Sequence, residues 1–164
     1  MGGYVPPPVV HSFGLTGGGI TGGFPGNSDR ALCTLYNLPE NASNLISIVV
    51  TMHSGSTNPS NIKAFIASHS GGFPVNILHV TGSQLSPAGG GEFTFGLSGS
   101  LTSGNYYLGA VTEDFDNNIA QTDPASYDTH MANGTFSFSS PPATWPGSDA
   151  TYLVGLGIIV NYNP

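Results

Sequence analysis

Glycine and proline interrupt this sequence so often that no stretch of a dozen residues keeps a helical periodicity. Between these breaks lie short apolar, β-branched and aromatic runs, and turn-forming residues return about every eight to fifteen residues. Such spacing is typical of an all-β domain. We therefore expect an antiparallel β-sandwich, jelly-roll-like, with about eight strands and almost no helix.

The strand predictions follow the runs of β-forming residues. Residues 104–111 (GNYYLGAV) are the strongest of these runs, since a turn glycine is followed by two tyrosines and an apolar tail. Two other runs, 92–97 and 135–139, alternate strictly between apolar and polar or small residues, which indicates one buried face. The full set of predicted strands is 31–36, 45–52, 62–68, 75–80, 92–97, 106–112, 135–139 and 152–162.

The first 28 residues differ in composition from the rest. They contain Pro6, Pro7 and Pro8 and a run of three glycines at 17–19, a composition that favours extended or irregular chain. We expect an N-terminal arm over 1–28 and a sandwich domain over 29–164. The arm would be ordered by what it touches, for example a neighbouring subunit. An equally weighted alternative is a flexible tail with one short edge strand at 9–13.

Charge limits the classes of partner. Only 7% of the residues are charged and the formal net charge is −7, so the chain cannot neutralise phosphates in a nucleic acid or in an anionic membrane. The start of the sequence lacks the basic and apolar regions of a secretory signal, and the longest apolar run, 152–160, is too short to cross a bilayer. The single cysteine, Cys33, lies in an apolar run and is expected to be buried and unreactive.

Two patterns resemble catalytic motifs and fail on physical grounds. Residues 17–22 (GGGITG) match the spacing of a dinucleotide-binding loop, but the glycines and proline that follow exclude the helix this loop must open. Residues 96–100 (GLSGS) have a serine where a nucleophile elbow needs its second glycine, and no helix follows. We therefore predict that the protein is not an enzyme and has no obligatory cofactor.

Calcium is the one metal ion that the sequence suggests. Asp114, Asp116 and Asn118 supply oxygen ligands at alternating positions, with Glu113 or Asp123 as further ligands. The spacing departs from the EF-hand pattern at Ile119 and Ala125, so a solvated acidic loop is the alternative. His53 and His69 each begin the tripeptide HSG, which permits a histidine metal site or simply two similar turns.

Aromatic residues supply the candidate ligand-binding positions. Trp145 lies in a proline-rich loop that could present its indole to a sugar ring or a partner protein. Alternatively the ring folds back and caps the end of the sandwich. Tyr106 and Tyr107 are adjacent in a predicted strand, so one ring should point inward and one outward. We take Trp145, Tyr106 and Tyr107 as the candidate residues.

Residues Arg30–Leu38, the small-residue turns and residues 104–111 together resemble the β-sandwich domains that recur in virion proteins of tailed bacteriophages. Those domains occur as capsid decoration proteins and as head-fibre or spike modules. The resemblance implies a structural protein on the capsid exterior, bound to the major capsid protein or other virion proteins and assembled as a homo-oligomer. Related sandwiches bind carbohydrate, so a carbohydrate-binding module or receptor-binding tip that recognises host surface polysaccharide is the alternative.

Overall fold

The computed structural model describes residues 7, 9–15, 22–25, 29–56, 59–86, 88–113, 118–122, 127–133, 135–148 and 150–164, with the backbone alone at 22–25 and 133. Fourteen strands are assigned in these ranges, and they form two seven-stranded antiparallel sheets that pack against each other. The described residues contain no helix, and therefore none that could span a membrane. The predicted all-β sandwich is confirmed.

The strands are numbered in chain order and divide equally between the sheets. The first sheet contains β1 (His11–Gly14), β2 (Gly22–Pro25), β4 (Asn44–Met52), β8 (Gly91–Gly96), β10 (Asn118–Thr122), β13 (Gly155–Leu156) and β14 (Ile158–Asn163). The second sheet contains β3 (Arg30–Leu38), β5 (Ser60–Ser70), β6 (Phe73–Val80), β7 (Gln84–Ser86), β9 (Gly104–Thr112), β11 (Thr129–Asn133) and β12 (Ala150–Tyr152).

Eight of these strands pair in a nested order. β1 pairs with β14, β3 with β9, β4 with β8 and β5 with β6, so that the first of the eight pairs with the last and the second with the second to last. The two sheets then run β1-β14-β4-β8 and β3-β9-β5-β6. This is the jelly-roll arrangement, as expected from the sequence.

Apolar side chains are buried on both faces of the second sheet. Strand β9 illustrates this, because Leu108 and Ala110 belong to the core between the sheets while Tyr107 and Val111 belong to a second cluster. We call this second cluster the outer cluster. Its buried members are Ala31, Cys33, Phe65, Ala67, Tyr107, Val111, Ala132, Phe136 and Phe138. The predicted burial of Cys33 is confirmed.

A loop over residues 135–148 covers the outer face of the second sheet. Phe136 stacks on Phe65 with 4.9 Å between the ring centroids, and both rings are almost fully buried. Phe65 lies directly over Gly109 of β9, where a β-carbon would come within 2.2 Å of the phenyl ring. Gly109 therefore makes the room in which the two aromatic rings stack.

The strand predicted at 135–139 is wrong. Phe136 and Phe138 do point to the same side, as strand alternation requires, and both are buried. No strand in the described part of the chain pairs with this segment, and side chains satisfy part of its backbone instead: the amide of Phe138 donates to Asp29 Oδ1 at 2.6 Å. The alternation thus marks a loop that lies flat on an apolar sheet.

Two other boundaries differ from those expected. The run 152–162 is divided among β12, β13 and β14, and the chain moves from the second sheet to the first within it. Strand β1 completes the eight strands of the jelly roll. Phe13 on this strand is buried in the core, and Gly14 has φ +118°, where a β-carbon would meet the Ile158 carbonyl oxygen. The described strands of residues 1–28, β1 and β2, therefore pair within the first sheet, and β1 overlaps the edge strand that the alternative placed at 9–13.

The crowding at Gly109 predicts a stability difference between two glycine-to-alanine variants. Gly109→Ala should lower the free energy of unfolding by about 1–3 kcal/mol, since the new methyl group overlaps Phe65 and the Leu32 carbonyl oxygen. Thermal unfolding should show a melting temperature lower by about 2–12 °C, at about 2–4 °C per kcal/mol for a domain of this size. Gly96→Ala is the matched control in strand β8, where no atom lies within 4 Å of the added methyl group. Equal melting temperatures for the two variants would contradict this account of the outer cluster.

Candidate functional site

Trp145, the first candidate ligand-binding residue, packs onto the sandwich. Its ring centroid lies 6.1 Å from that of Phe65 and 5.8 Å from that of Phe136, and its indole N–H donates to Ser148 Oγ at 3.1 Å. Its backbone amide donates to the Val75 carbonyl at 2.7 Å. Of the two expectations for this residue, the geometry matches the one in which the ring folds back, although it covers a sheet face and not the sandwich end.

Tyr106 and Tyr107 point to opposite faces of β9, as expected. Neither ring lies open to a ligand, although the outward one was expected to. Tyr107 is completely buried in the outer cluster. Tyr106 packs against the inner core at the rim, and its hydroxyl donates to the Thr102 carbonyl at 2.9 Å. The outward ring is covered because the loop over 135–148 and its neighbours bury that face, so Tyr107 cannot stack on a sugar.

The calcium prediction falls largely outside the described residues. This is true of Asp114 and Asp116, while Asn118 begins β10 and its side-chain amide donates to the Gly55 carbonyl at 3.4 Å. Glu113 Oε2 accepts a hydrogen bond from Asn61 at 2.6 Å. Within the described ranges no three His, Cys, Asp or Glu side chains group as metal ligands would. Calcium binding stays a prediction.

The two HSG histidines lie in different surroundings. His53 follows strand β4 of the first sheet, and its Nδ1 accepts a hydrogen bond from the amide of Gly55 at 2.9 Å. His69 belongs to β5 of the second sheet, where its ring lies 5.9 Å from that of Tyr107. The first HSG tripeptide thus lies in a turn in which the glycine amide bonds to the histidine ring. The second lies at the end of a strand, beside the buried phenol of Tyr107.

A surface group at the end of the β5–β6 hairpin combines an exposed ring with polar side chains. We call it the hairpin patch and define it as His69, Phe73, Tyr107, Asp128 and His130. Phe73 is 55% exposed, and its ring centroid lies 5.4 Å from that of His130. Sequence reasoning missed it, because Phe73 directly follows the turn glycines and Asp128 and His130 come from a distant strand. The only signal in the sequence is a phenylalanine directly after two turn glycines.

His130 organises the buried side of the hairpin patch. Its Nδ1 lies 2.7 Å from Ser148 Oγ and its Nε2 lies 3.2 Å from Asp128 Oδ2. Since a carboxylate only accepts, Nε2 donates to it, and in the neutral imidazole Nδ1 then accepts from the Ser148 hydroxyl. Ser148 Oγ also accepts the indole N–H of Trp145. The donors and acceptors form one consistent chain from the indole through serine and imidazole to the carboxylate, which ties the covering loop to strand β11.

The serine, histidine and carboxylate of this chain are the residue types of a serine hydrolase, but the arrangement differs. In that mechanism Nε2 of the histidine faces the serine and the carboxylate binds Nδ1, which is the reverse of the order here. The His130 side chain is only 2% exposed and the Phe73 ring packs beside it. Ser148 Oγ also accepts the Trp145 indole N–H, so its hydroxyl is engaged on both sides. These contacts favour a structural role for Ser148 and His130.

Tyr107 lies at the Asp128 end of this hydrogen-bond network. Its hydroxyl lies 2.8 Å from Asp128 Oδ2 and 3.0 Å from the Gly72 carbonyl, so a single phenol links β9 to the hairpin turn and to the segment before β11. Burial raises the pKa of this phenol far above its usual value, and the hydrogen bond to Asp128 and the negative charge of that carboxylate raise it further. The phenol is therefore a permanent donor at neutral pH.

A shallow cleft lies elsewhere, where the edges of the two sheets meet. It has a volume of about 210 Å³ and is lined by Thr81, Gly82, Ser83, Gln84, Phe95 and Gly96. Its polar groups are largely engaged, since Gln84 Nε2 donates to the Thr94 carbonyl and Thr81 Oγ1 accepts from the amide of Ala64. Phe95 is 3% exposed. The cleft offers no open aromatic face.

No family model matches the sequence, and neither a curated protein nor a solved structure shows detectable similarity to the chain.

The buried phenol predicts a pH-dependent effect of Tyr107→Phe. At neutral pH the variant should lose about 1–2 kcal/mol of unfolding free energy, because Asp128 loses a hydrogen bond. In the wild type, the raised pKa means that this contribution is complete below about pH 10, where an unfolded tyrosine ionises, and is lost at higher pH.

Melting temperatures measured from pH 7 to 11 should therefore converge for wild type and Tyr107→Phe. Tyr106→Phe serves as the control, because its hydroxyl bonds only to nearby groups of residue 102. A constant gap between wild type and Tyr107→Phe across this range would contradict the link between phenol ionisation and stability.

Proposed function

We propose that this chain is a non-enzymatic structural protein of a virion surface, one that decorates or projects from a phage capsid. The proposal is supported by the sequence resemblance described above and by the jelly-roll sandwich. Strand-rich domains with few long charged side chains lose little side-chain entropy when they pack against neighbours. A chain with 7% charged residues is suited to dense packing of this kind.

The observation that carries the proposal is the open edge of strand β6. Residues 143–145 cover this edge from Val75 to Ile77 through backbone hydrogen bonds. Beyond that point no strand among the described residues pairs with the outer edge of β6, and Leu78 and Val80 are 42% and 40% exposed. Leu85 of the adjacent β7 is 62% exposed. Open edges with exposed apolar side chains pair readily with another protein.

The partners follow from this edge and from charge. We propose that it packs against the major capsid protein, another virion protein or a second copy of the chain, on the capsid exterior. The net charge of −7 argues against nucleic acid and anionic membrane as direct partners.

The alternative function, a carbohydrate-binding module or receptor-binding tip, is favoured by a different observation. It requires an aromatic ring open to solvent, which Trp145 and Tyr107 do not offer. Phe73 does, since 55% of its surface is exposed and its ring packs against His130, which bonds to Asp128. The two functions use different parts of the molecule.

The virion proposal predicts that a charged β6 edge reduces incorporation into particles. The double variant Leu78→Lys and Val80→Lys should keep its fold, because both side chains are already partly exposed and lysine can extend to water. Its copy number per particle, measured by quantitative mass spectrometry relative to the major shell protein, should fall at least about tenfold, since buried charges oppose edge pairing.

Leu153→Lys is the matched control, because Leu153 is 66% exposed and lies outside strands β6 and β7. It should be incorporated like the wild type. Absence of the wild-type chain from purified particles of its source would overturn the virion proposal, and normal incorporation of the double variant would exclude the β6 edge.

A further inference from the structure

The hairpin patch has the composition of a small saccharide site. Its most exposed member is a flat apolar ring, Phe73, and its polar members are the Asp128 carboxylate, the imidazoles of His69 and His130 and the Tyr107 phenol. Pyranose rings present one apolar face of C–H groups and a rim of hydroxyls, which require an aromatic surface and hydrogen-bonding groups at its edge.

The Phe73 ring has one aromatic packing partner among the described residues, and its backbone is paired in the hairpin. The Phe73 backbone pairs with Ser70 in the hairpin, and its ring packs against His130 at 5.4 Å. His130 is in turn fixed by Ser148 and Asp128. A ring that is fixed before binding loses little conformational freedom when a ligand stacks on it.

Polar groups beside the ring have hydrogen-bonding capacity left for a ligand. Asp128 Oδ2 is used by Tyr107 and His130, whereas Oδ1 bonds to none of the described residues and the side chain is 40% exposed. His69 makes a ring contact with Tyr107 but no hydrogen bond with the described part of the chain, and it is half-buried. Asp128 can accept from a sugar hydroxyl, and the imidazole can donate or accept.

The hairpin turn leaves space for a ligand to approach. Gly71 and Gly72 have φ values of 60° and 84°, and no atom lies within 4 Å of the position that a β-carbon would occupy on either residue. A turn without side chains beside an exposed ring allows a sugar to lie over the ring and reach Asp128. The geometry therefore has a ring, an acceptor, an imidazole and an open path at one location.

We propose that the hairpin patch binds a neutral hexopyranose unit of a glycan, with Phe73 stacked on the sugar's apolar face and Asp128 and His69 bonded to its hydroxyls. Acidic sugars are disfavoured, because Asp128 faces the site and the whole chain carries a net charge of −7. One small ring surface gives weak binding per copy, which repeated presentation on an assembly strengthens. The proposal rests on the carbohydrate-binding function proposed above as the alternative, and it does not depend on the virion role.

Saturation-transfer NMR on the whole chain tests this directly. The probes are the methyl glycosides of galactose, glucose and mannose, with methyl glucuronide as the acidic comparison, each at millimolar concentration. We expect at least one neutral glycoside to receive saturation on the protons of one ring face, and the glucuronide to receive little. Absence of transfer to all three neutral glycosides would overturn the proposal.

Variants separate the site from general surface contact. Phe73→Ala should weaken binding about tenfold, as expected for loss of an aromatic contact, and Phe73→Trp should restore or strengthen it. Leu85→Ala, at a 62% exposed position on strand β7, should leave binding unchanged. Wild-type binding by Phe73→Ala, or equal losses in Phe73→Ala and Leu85→Ala, would remove Phe73 from the site. Asp128→Asn, which keeps an acceptor oxygen but no charge, should bind the glucuronide better than the wild type does.

Discussion

The stack of Phe65 and Phe136 over Gly109 is the contact on which the organisation of the second sheet depends. A jelly roll normally buries one face of each sheet and leaves the other to water. Here strands β3, β5 and β9 carry apolar side chains on both faces, so the outer face needs a cover. The loop over 135–148 provides it, because the missing side chain at Gly109 lets the two rings stack without displacing the strands.

A few polar contacts hold the loop over 135–148 on the second sheet. Lys63, one of only two cationic side chains, donates from Nζ to the Phe138 carbonyl at 2.7 Å and lies over the Phe138 ring. Ser148 accepts the Trp145 indole and donates to His130, so the end of the cover is bonded to strand β11. Apart from the Lys63 ammonium, these contacts are hydrogen bonds between uncharged groups, which salt screens less than it screens a surface ion pair.

These contacts explain how a buried network positions the residues of the hairpin patch. Asp128 and His130 are ordered by the inner contacts with Tyr107 and Ser148, and the hairpin that carries Phe73 is bonded to the same phenol through Gly72. The same hydrogen-bond network therefore contacts both the covered outer face and the hairpin that carries the exposed Phe73 ring. Ser148, His130 and Asp128 resemble a catalytic triad in composition. Their hydrogen bonds position the residues of the hairpin patch, and the serine hydroxyl is itself engaged.

The fold could be predicted from the sequence because turn spacing and strand alternation are local signals. The strands at 31–36, 45–52 and 106–112 lie within β3, β4 and β9 for that reason. Local signals fail where the decisive partner is distant. The alternation at 135–139 could not reveal that it lies against a sheet face. The start of the chain permitted an edge strand at 9–13 but could not show that β1 pairs with β14 at the other end.

The same limit applied to the site. Trp145, Tyr106 and Tyr107 were chosen as aromatic residues in suitable runs, but which ring stays open depends on what crosses the sheet. Phe73 carried no pattern of its own, and its polar neighbours come from β5 and from the segment that leads into β11. A binding surface assembled across strands is visible only once the register is known.

Strand β6 connects the two proposed activities by its length. Phe73 begins this strand and Val80 ends it, and eight residues of extended chain span about 23 Å. The open edge at Leu78 and Val80 therefore lies about 17–23 Å along the strand from Phe73. A neighbour that pairs with the far end of β6 leaves the hairpin patch free, so a subunit packed into an assembly through its edge can still present Phe73 to a sugar in solution.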